Sequence, residues 1–217
     1  LLVGIVNGLV VTKLNVNGFI ATLGMSLILQ GQLATHFAEN APESVPDALV
    51  DFLGFGSLWF VPWSVVLMLL VALVVGYTLR RTRIGAHIYA VGGSPEIARN
   101  SGISTWRPQL IAHAICGLTA GIAGVYLAAR LGTPNVEIGT NGIYDLESIA
   151  VVVLGGAALL GGRGKVGATI AAVLLFATVD AAFNHFQVDP FLKLVMRGVI
   201  IIAAVASYTW RDEEEAQ

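Results

Sequence analysis

The glycine run GGAALLGGRGKVG, residues 155–167, is the stretch that most invites chemistry, because a glycine-rich loop followed by lysine can cradle phosphate. A phosphate loop needs a glycine five positions before the one that precedes its lysine, and a hydroxyl residue after that lysine. Here Lys165 follows Gly164, but Leu159 and Val166 stand at those two positions, so the Mg²⁺-binding hydroxyl is absent. The run reads instead as a tight turn from Gly161 to Gly164, held at a membrane surface by Arg163 and Lys165. His36, His87, His113 and His185 are scattered without ligand spacing, so no metal site is expected. No Ser-His-Asp set and no carboxylate pair suggests a catalytic residue, and the chain reads as a non-enzyme.

Two groups of polar residues remain inside apolar runs. Thr22, Ser26 and Gln30 recur every four residues and share one helix face, with Asn7 one helix earlier. They can line a path for a polar solute or hydrogen-bond neighbouring helices. Asp180 and Arg197 flank the last hairpin, each roughly 9 Å below the same surface at 1.5 Å per residue. A lone charge at the bilayer centre costs about 2.5–3.5 kcal/mol, so an Asp180–Arg197 pair is expected. A substrate-binding role for the two, and snorkelling of Arg197 to the surface, are the alternatives.

The third group is a small polar helix. In GGSPEIARNSGI, residues 92–103, Ser94 is an N-cap, Pro95 suits the first helical position and Glu96 places negative charge in the first turn. Gly102 can take the left-handed conformation that ends a helix. The body, 95–101, is about 10 Å long and needs a partner surface. Ile97 and Ala98 offer a small apolar face, and Glu96, Arg99 and Asn100 offer polar contacts. A connector on lipid headgroups is one reading, but such helices pair a strong apolar face with several basic residues. Docking on a protein suits this composition better.

These residues sit in a chain of 217 residues that is 56% hydrophobic and only 12% charged, half the charged share of a soluble domain. After a partial helix at 1–12, six spans are expected at 17–37, 58–79, 109–130, 146–160, 166–186 and 191–209. The fold class is all-α: a polytopic helical membrane protein with about six full spans and a partial N-terminal one. The span at 146–160 is short enough to be tilted, broken or re-entrant. The opening apolar run lacks a basic leader and suggests an N-terminally truncated chain. Gly4 with Gly8, and Gly117 with Gly121, are small-xxx-small pairs that favour helix packing in lipid.

Alternate joints hold Lys13, then Arg80, Arg81, Arg83, Arg99 and Arg107, then Arg163, Lys165 and Arg211. Positive charge marks the cytoplasmic side, which places the small helix and the C-terminus inside and the 38–57 and 131–145 loops outside. Trp59 and Trp63 then belong to the outer interface, Trp106 and Trp210 to the inner one. A net charge of −2 gives no sign of a nucleic-acid partner.

The run RRTRIGAHIYAVGGSPEIARNSGI, 80–103, resembles the cytoplasmic coupling segment in permease subunits of bacterial ABC sugar importers of the ribose/xylose/galactose type. YDLESIAVVVLGGAALLGGRG at 144–164, NGFIATLGMSLILQG at 17–31 and the final DPFLKLVMRGVIII resemble further blocks of that family in the same order. Asn100 stands where an apolar residue is common in the family, Asn17 replaces a common proline, and Asp145 and Glu147 exchange the usual Glu and Asp.

The resemblance implies one transmembrane permease domain over 1–217, with a coupling segment at 80–108 that docks on a separate cytoplasmic ATPase. Gly93, Ser94, Pro95, Glu96, Ile97, Ala98, Arg99 and Gly102 would form that contact. It further implies a homodimer in the bacterial inner membrane, served by a periplasmic substrate-binding protein. ATP and Mg²⁺ would be bound by the ATPase, and this chain would bind no cofactor. A permease for branched-chain amino acids or nucleosides, or a secondary transporter without an ATPase, are the competing readings. A proton- or sodium-coupled carrier would carry buried acids near midplane, which only Asp180 approaches.

Overall fold

The computed structural model describes residues 1–37, 44–58, 60–133, 144–158, 161–189, 191–193, 195–196, 198–200 and 202. Two compact units divide the chain, Leu1–Gly142 and Ile143–Gln217.

The first unit is built on helices α1 (Leu2–Lys13) and α7 (Trp106–Leu131). They run antiparallel along the first half of α7, because glycines let the backbones touch. A Cβ on Gly4 would collide with the His113 carbonyl, and one on Gly8 would lie 2.7 Å from Leu110. At the far end of the pair, the Lys13 ammonium and the Arg107 guanidinium sit 5.6 and 5.4 Å from the Trp106 ring. Gly117 joins this contact, whereas nothing lies within 4 Å of a Cβ on Gly121. Among the described residues, only the first glycine of that expected pair packs against a helix.

Helix α2 (Gly18–Phe37) and helix α9 (Val166–His185) match the expected spans almost to the residue. Helix α4 (Trp63–Arg81) starts five residues later than expected. Ser57–Leu58 (β1) and Val61–Pro62 (β2) form a small antiparallel hairpin before it, with Leu58 opposite Val61. Hydropathy does not separate an apolar strand from a helix, and Pro62 keeps extended backbone until Trp63. Ahead of the hairpin, α3 (Asp47–Leu49) continues into a π-helical turn, Val50–Gly54. Gly54 is buried against the Ala129 backbone, and Arg130 Nη1 donates to the Gly54 carbonyl at 3.2 Å while covering the Phe55 ring. Phe52 packs on Trp63, ring centroids 4.9 Å apart. After α4 come α5 (Arg83–Gly93) and α6 (Pro95–Asn100).

In the second unit, α8 (Tyr144–Leu154) and α9 (Val166–His185) share a core of Ala150, Val151, Ala172 and Phe176. A Cβ on Gly155 would lie 2.7 Å from the Thr169 Cα, so the two chains cross at backbone distance. Helix α8 is about 16 Å long at 1.5 Å per residue, about half a hydrocarbon core. Gly156, at φ +79°, ends it: the Gly156 N–H bonds the Val153 carbonyl at 2.8 Å and the Ala157 N–H that of Val152 at 3.2 Å. Gly161 and Gly162 also have positive φ, and the Ala158 N–H closes the turn on the Arg163 carbonyl at 3.0 Å.

Four helices among the described residues are long and apolar enough to cross a membrane: α2, α4, α7 and α9. Four of the six expected spans are thus present, while α8, in place of the span expected at 146–160, is shorter than a full crossing. The described residues of the 191–209 span are helical at 191–193, 195–196, 198–200 and 202. The rest of that span lies outside the described residues, as do Trp59, Trp210, Arg211 and most of the 131–145 loop.

Candidate functional site

Three helices, α4, α5 and α6, follow one another with a single non-helical residue at each joint. Thr82, with φ −114° and ψ 155°, separates α4 from α5. Its hydroxyl donates to the Thr78 carbonyl at 2.6 Å and accepts from the Gly85 N–H at 3.3 Å. Ser94, with φ −157° and ψ 105°, separates α5 from α6, and its hydroxyl accepts from the Ile97 N–H at 3.3 Å. At the other end the Gly102 N–H bonds the Arg99 carbonyl and the Ile103 N–H the Ala98 carbonyl, both at 2.9 Å, with Gly102 at φ +79°. A six-residue helix is thereby satisfied at both ends by its own neighbours.

The faces of α6 divide sharply. Ala98 is 3% exposed and points into the unit, together with Val91 of α5. Ile97 is 68% exposed, and Pro95, Glu96, Arg99 and Asn100 also face outward. The expected apolar pair is therefore corrected: Ala98 belongs to the packing beneath the helix, and Ile97 alone carries the outward apolar surface. Gly93 and Gly102 are exposed at the ends. Among the described residues, neither the Glu96 carboxylate nor the Arg99 guanidinium has a hydrogen-bond or ion-pair partner.

Thr22, Ser26 and Gln30 do share one half-buried face of α2. Their bonds run within the helix: Thr22 Oγ1 donates to the Gly18 and Phe19 carbonyls at 2.9 and 3.0 Å, and Gln30 Nε2 donates to Ser26 Oγ at 3.2 Å. Asn7 Oδ1 is buried and has no hydrogen-bond partner among the described residues. No hydrogen bond joins Asn7 to the α2 stripe among the described residues. In the second unit Asp180 is half-buried on α9, while Arg197 lies outside the described residues. One turn nearer the hairpin, Lys193 Nζ donates to Asn184 Oδ1 at 2.7 Å.

A family model described as branched-chain amino acid transport system / permease component matches residues 1–205. The chain belongs to this permease family. It is 36% identical over 212 residues to the ribose import permease protein of Escherichia coli K12, covering 94% of this chain and 64% of that one. It is 35% identical over 202 residues to the L-arabinose transport system permease protein of the same strain, covering 92% and 60%. With the galactose/methyl galactoside import permease protein of Haemophilus influenzae it shares 30% over 210 residues, 94% and 62% of the two chains. The chain thus spans a little under two thirds of the length of these relatives. No solved structure matches it.

Sequence reasoning passed over Thr82 and Gly85. The signal was present as threonine followed three residues later by glycine, between two helical runs. A Cβ on Gly85 would lie 2.5 Å from both the Leu79 Cα and the Thr78 carbonyl oxygen, so α5 leaves α4 at backbone contact. Hydropathy and charge do not register such a contact.

Proposed function

We propose that this protein is the membrane permease subunit of an ATP-driven importer for a monosaccharide, working in the bacterial inner membrane as a homodimer. A separate cytoplasmic ATPase binds ATP and Mg²⁺ and docks on α6, and a periplasmic binding protein delivers the sugar to the opposite side. The observation that carries this reading is the outward face of α6, Pro95, Glu96, Ile97 and Arg99, on a helix capped at both ends and joined through α5 to the membrane helix α4.

The face can do two things chemically. Ile97 offers apolar surface whose burial in a groove favours docking, and Glu96 and Arg99 offer charges of opposite sign that fix its register. Movement of the ATPase then turns α5 and the end of α4, which exposes the path to one side of the membrane at a time. Arg80, Arg81, Arg83, Arg99 and Arg107 all lie from the last turn of α4 to the first turn of α7, which supports the cytoplasmic side for this region. Ribose, arabinose and galactose in the names of the relatives support a monosaccharide over a branched-chain amino acid. Asn7, Thr22, Ser26 and Gln30 are the polar side chains proposed for the solute path.

The test is purification from native membranes in mild detergent, wild type beside an Arg99→Glu, Glu96→Lys variant, with uptake of labelled ribose, arabinose and leucine in cells. An ATPase retained by the wild type and lost by the variant, with uptake of a sugar competed by sugars, supports the reading. ATP-independent uptake, or uptake of leucine alone, overturns it.

A further inference from the structure

Thr82 holds a place unlike any other hydroxyl among the described residues of this region. Threonine hydroxyls elsewhere in the helices, those of Thr12, Thr22, Thr78 and Thr119, donate back to a carbonyl of their own helix. Thr82 belongs to neither α4 nor α5, and its one oxygen is bonded to both: it donates to the last turn of α4 through Thr78 and accepts from the first turn of α5 through Gly85. Ser94, at the next joint, has its hydroxyl bond on the α6 side through Ile97.

Beside that bond the two backbones meet at Gly85, which is buried against Thr78 and Leu79. A single extended residue between helices is ordinarily a pivot, since only its own φ and ψ set the angle between them. Here two further constraints act on the same angle, one hydrogen-bonded and one steric. Both engage the final turn of α4, the end at which a force arriving through α5 must enter the membrane helix.

We infer that Thr82 and Gly85 form a locked elbow that transmits displacement of α6 to α4, with Thr82 a positioning residue for coupling rather than a contact to ATPase or solute. The inference rests on the proposed docking of α6. It states where the stroke would be lost: at the joint, with docking and hydrolysis intact.

Thr82→Val keeps the shape and β-branching and removes the donor and acceptor, whereas Thr82→Ser keeps both. The complex purified with its ATPase is reconstituted in proteoliposomes, and ATP hydrolysed per labelled ribose imported is measured. For Thr82→Val this ratio should rise roughly two- to tenfold, the range that loss of one hydrogen bond allows, with the ATPase still retained. Thr82→Ser should stay near wild type. An unchanged ratio in the valine variant, or a serine variant as uncoupled as valine, overturns the inference.

A second measurement judges the elbow without any ATPase. Spin labels at Leu73→Cys on α4 and His87→Cys on α5, both exposed, are placed in a Cys116→Ser background. Wild type and Thr82→Ser should give one narrow distance distribution and Thr82→Val a broad one. An unbroadened valine distribution sinks the elbow even if transport falls. If no ATPase accompanies the wild type, the proposed function fails while the distances still decide the joint.

Discussion

Gly117 of α7 faces Gly4 of α1 so closely that a Cβ on Gly117 would lie 2.8 Å from the Gly4 Cα. In lipid, helices gain nothing from hiding apolar surface from one another, so association depends on close packing that bulkier residues would prevent. This contact, with Gly8 against Leu110 one turn along, gives α1 its fixed place beside α7 although the two are about a hundred residues apart.

Gly117→Ala should therefore lower the midpoint of thermal unfolding in detergent, by an amount equivalent to about 1–3 kcal/mol, as over-packing does elsewhere. Gly121→Ala, with nothing within 4 Å of its new methyl, should leave the midpoint where it was. Equal effects of the two would show that helix propensity, and not the α1 contact, governs this position.

On α6 the outward and inward apolar residues should separate cleanly. Ile97→Ala removes exposed surface and is expected to reduce ATPase retention and uptake about tenfold, with thermal stability unchanged. Ala98→Leu forces bulk into a buried position and should lower stability first. Calorimetry or scanning fluorimetry beside a pull-down would distinguish them; Ile97→Ala that unfolds the protein would place it in the core.

Asn7 offers a buried acceptor without a partner among the described residues, so its removal gives up no bond seen there. Asn7→Leu is expected to leave stability unchanged or slightly raised, while raising the KM of sugar uptake. A variant with wild-type uptake kinetics would remove Asn7 from the proposed path.

In the second unit the Lys193–Asn184 bond spans the hairpin, and 180 and 197 stand four residues further from the turn on each side. Arg197→Met alone should lower the folded yield by removing the cation expected to pair with the half-buried Asp180 carboxylate. Adding Asp180→Leu should restore much of it. Failure of the double variant to recover, read by size-exclusion profile, would dismiss the pair.

How much of this was legible beforehand differs by element. The limits of α2 and α9 follow from apolar runs bounded by polar or turn residues, because lipid exposure demands an unbroken apolar surface and a fully bonded backbone. The ends of α6 follow from Ser94, Pro95 and Gly102 for a related reason: capping uses atoms within a few residues of one another, so the pattern is written locally. Family membership was legible too, in four blocks in order, and the match over residues 1–205 agrees with it.

What local sequence could not decide was which face meets which neighbour. Ile97 and Ala98 are adjacent and both apolar, yet one lies in the open and the other under the helix, because α5 and the core around Val91 occupy only one side. Gly117 and Gly121 are both glycines of one small-xxx-small pair, but among the described residues only the first has a partner backbone. The hairpin before α4, the π turn against Ala129 and the elbow at Thr82 likewise depend on segments that bend back to meet them. Composition and spacing determined that this chain is helical, membrane-bound and locally capped, since those properties concern a residue and its solvent or its near neighbours. Tertiary structure alone decided the contacts, since van der Waals packing and steric exclusion act between atoms that the chain order leaves far apart.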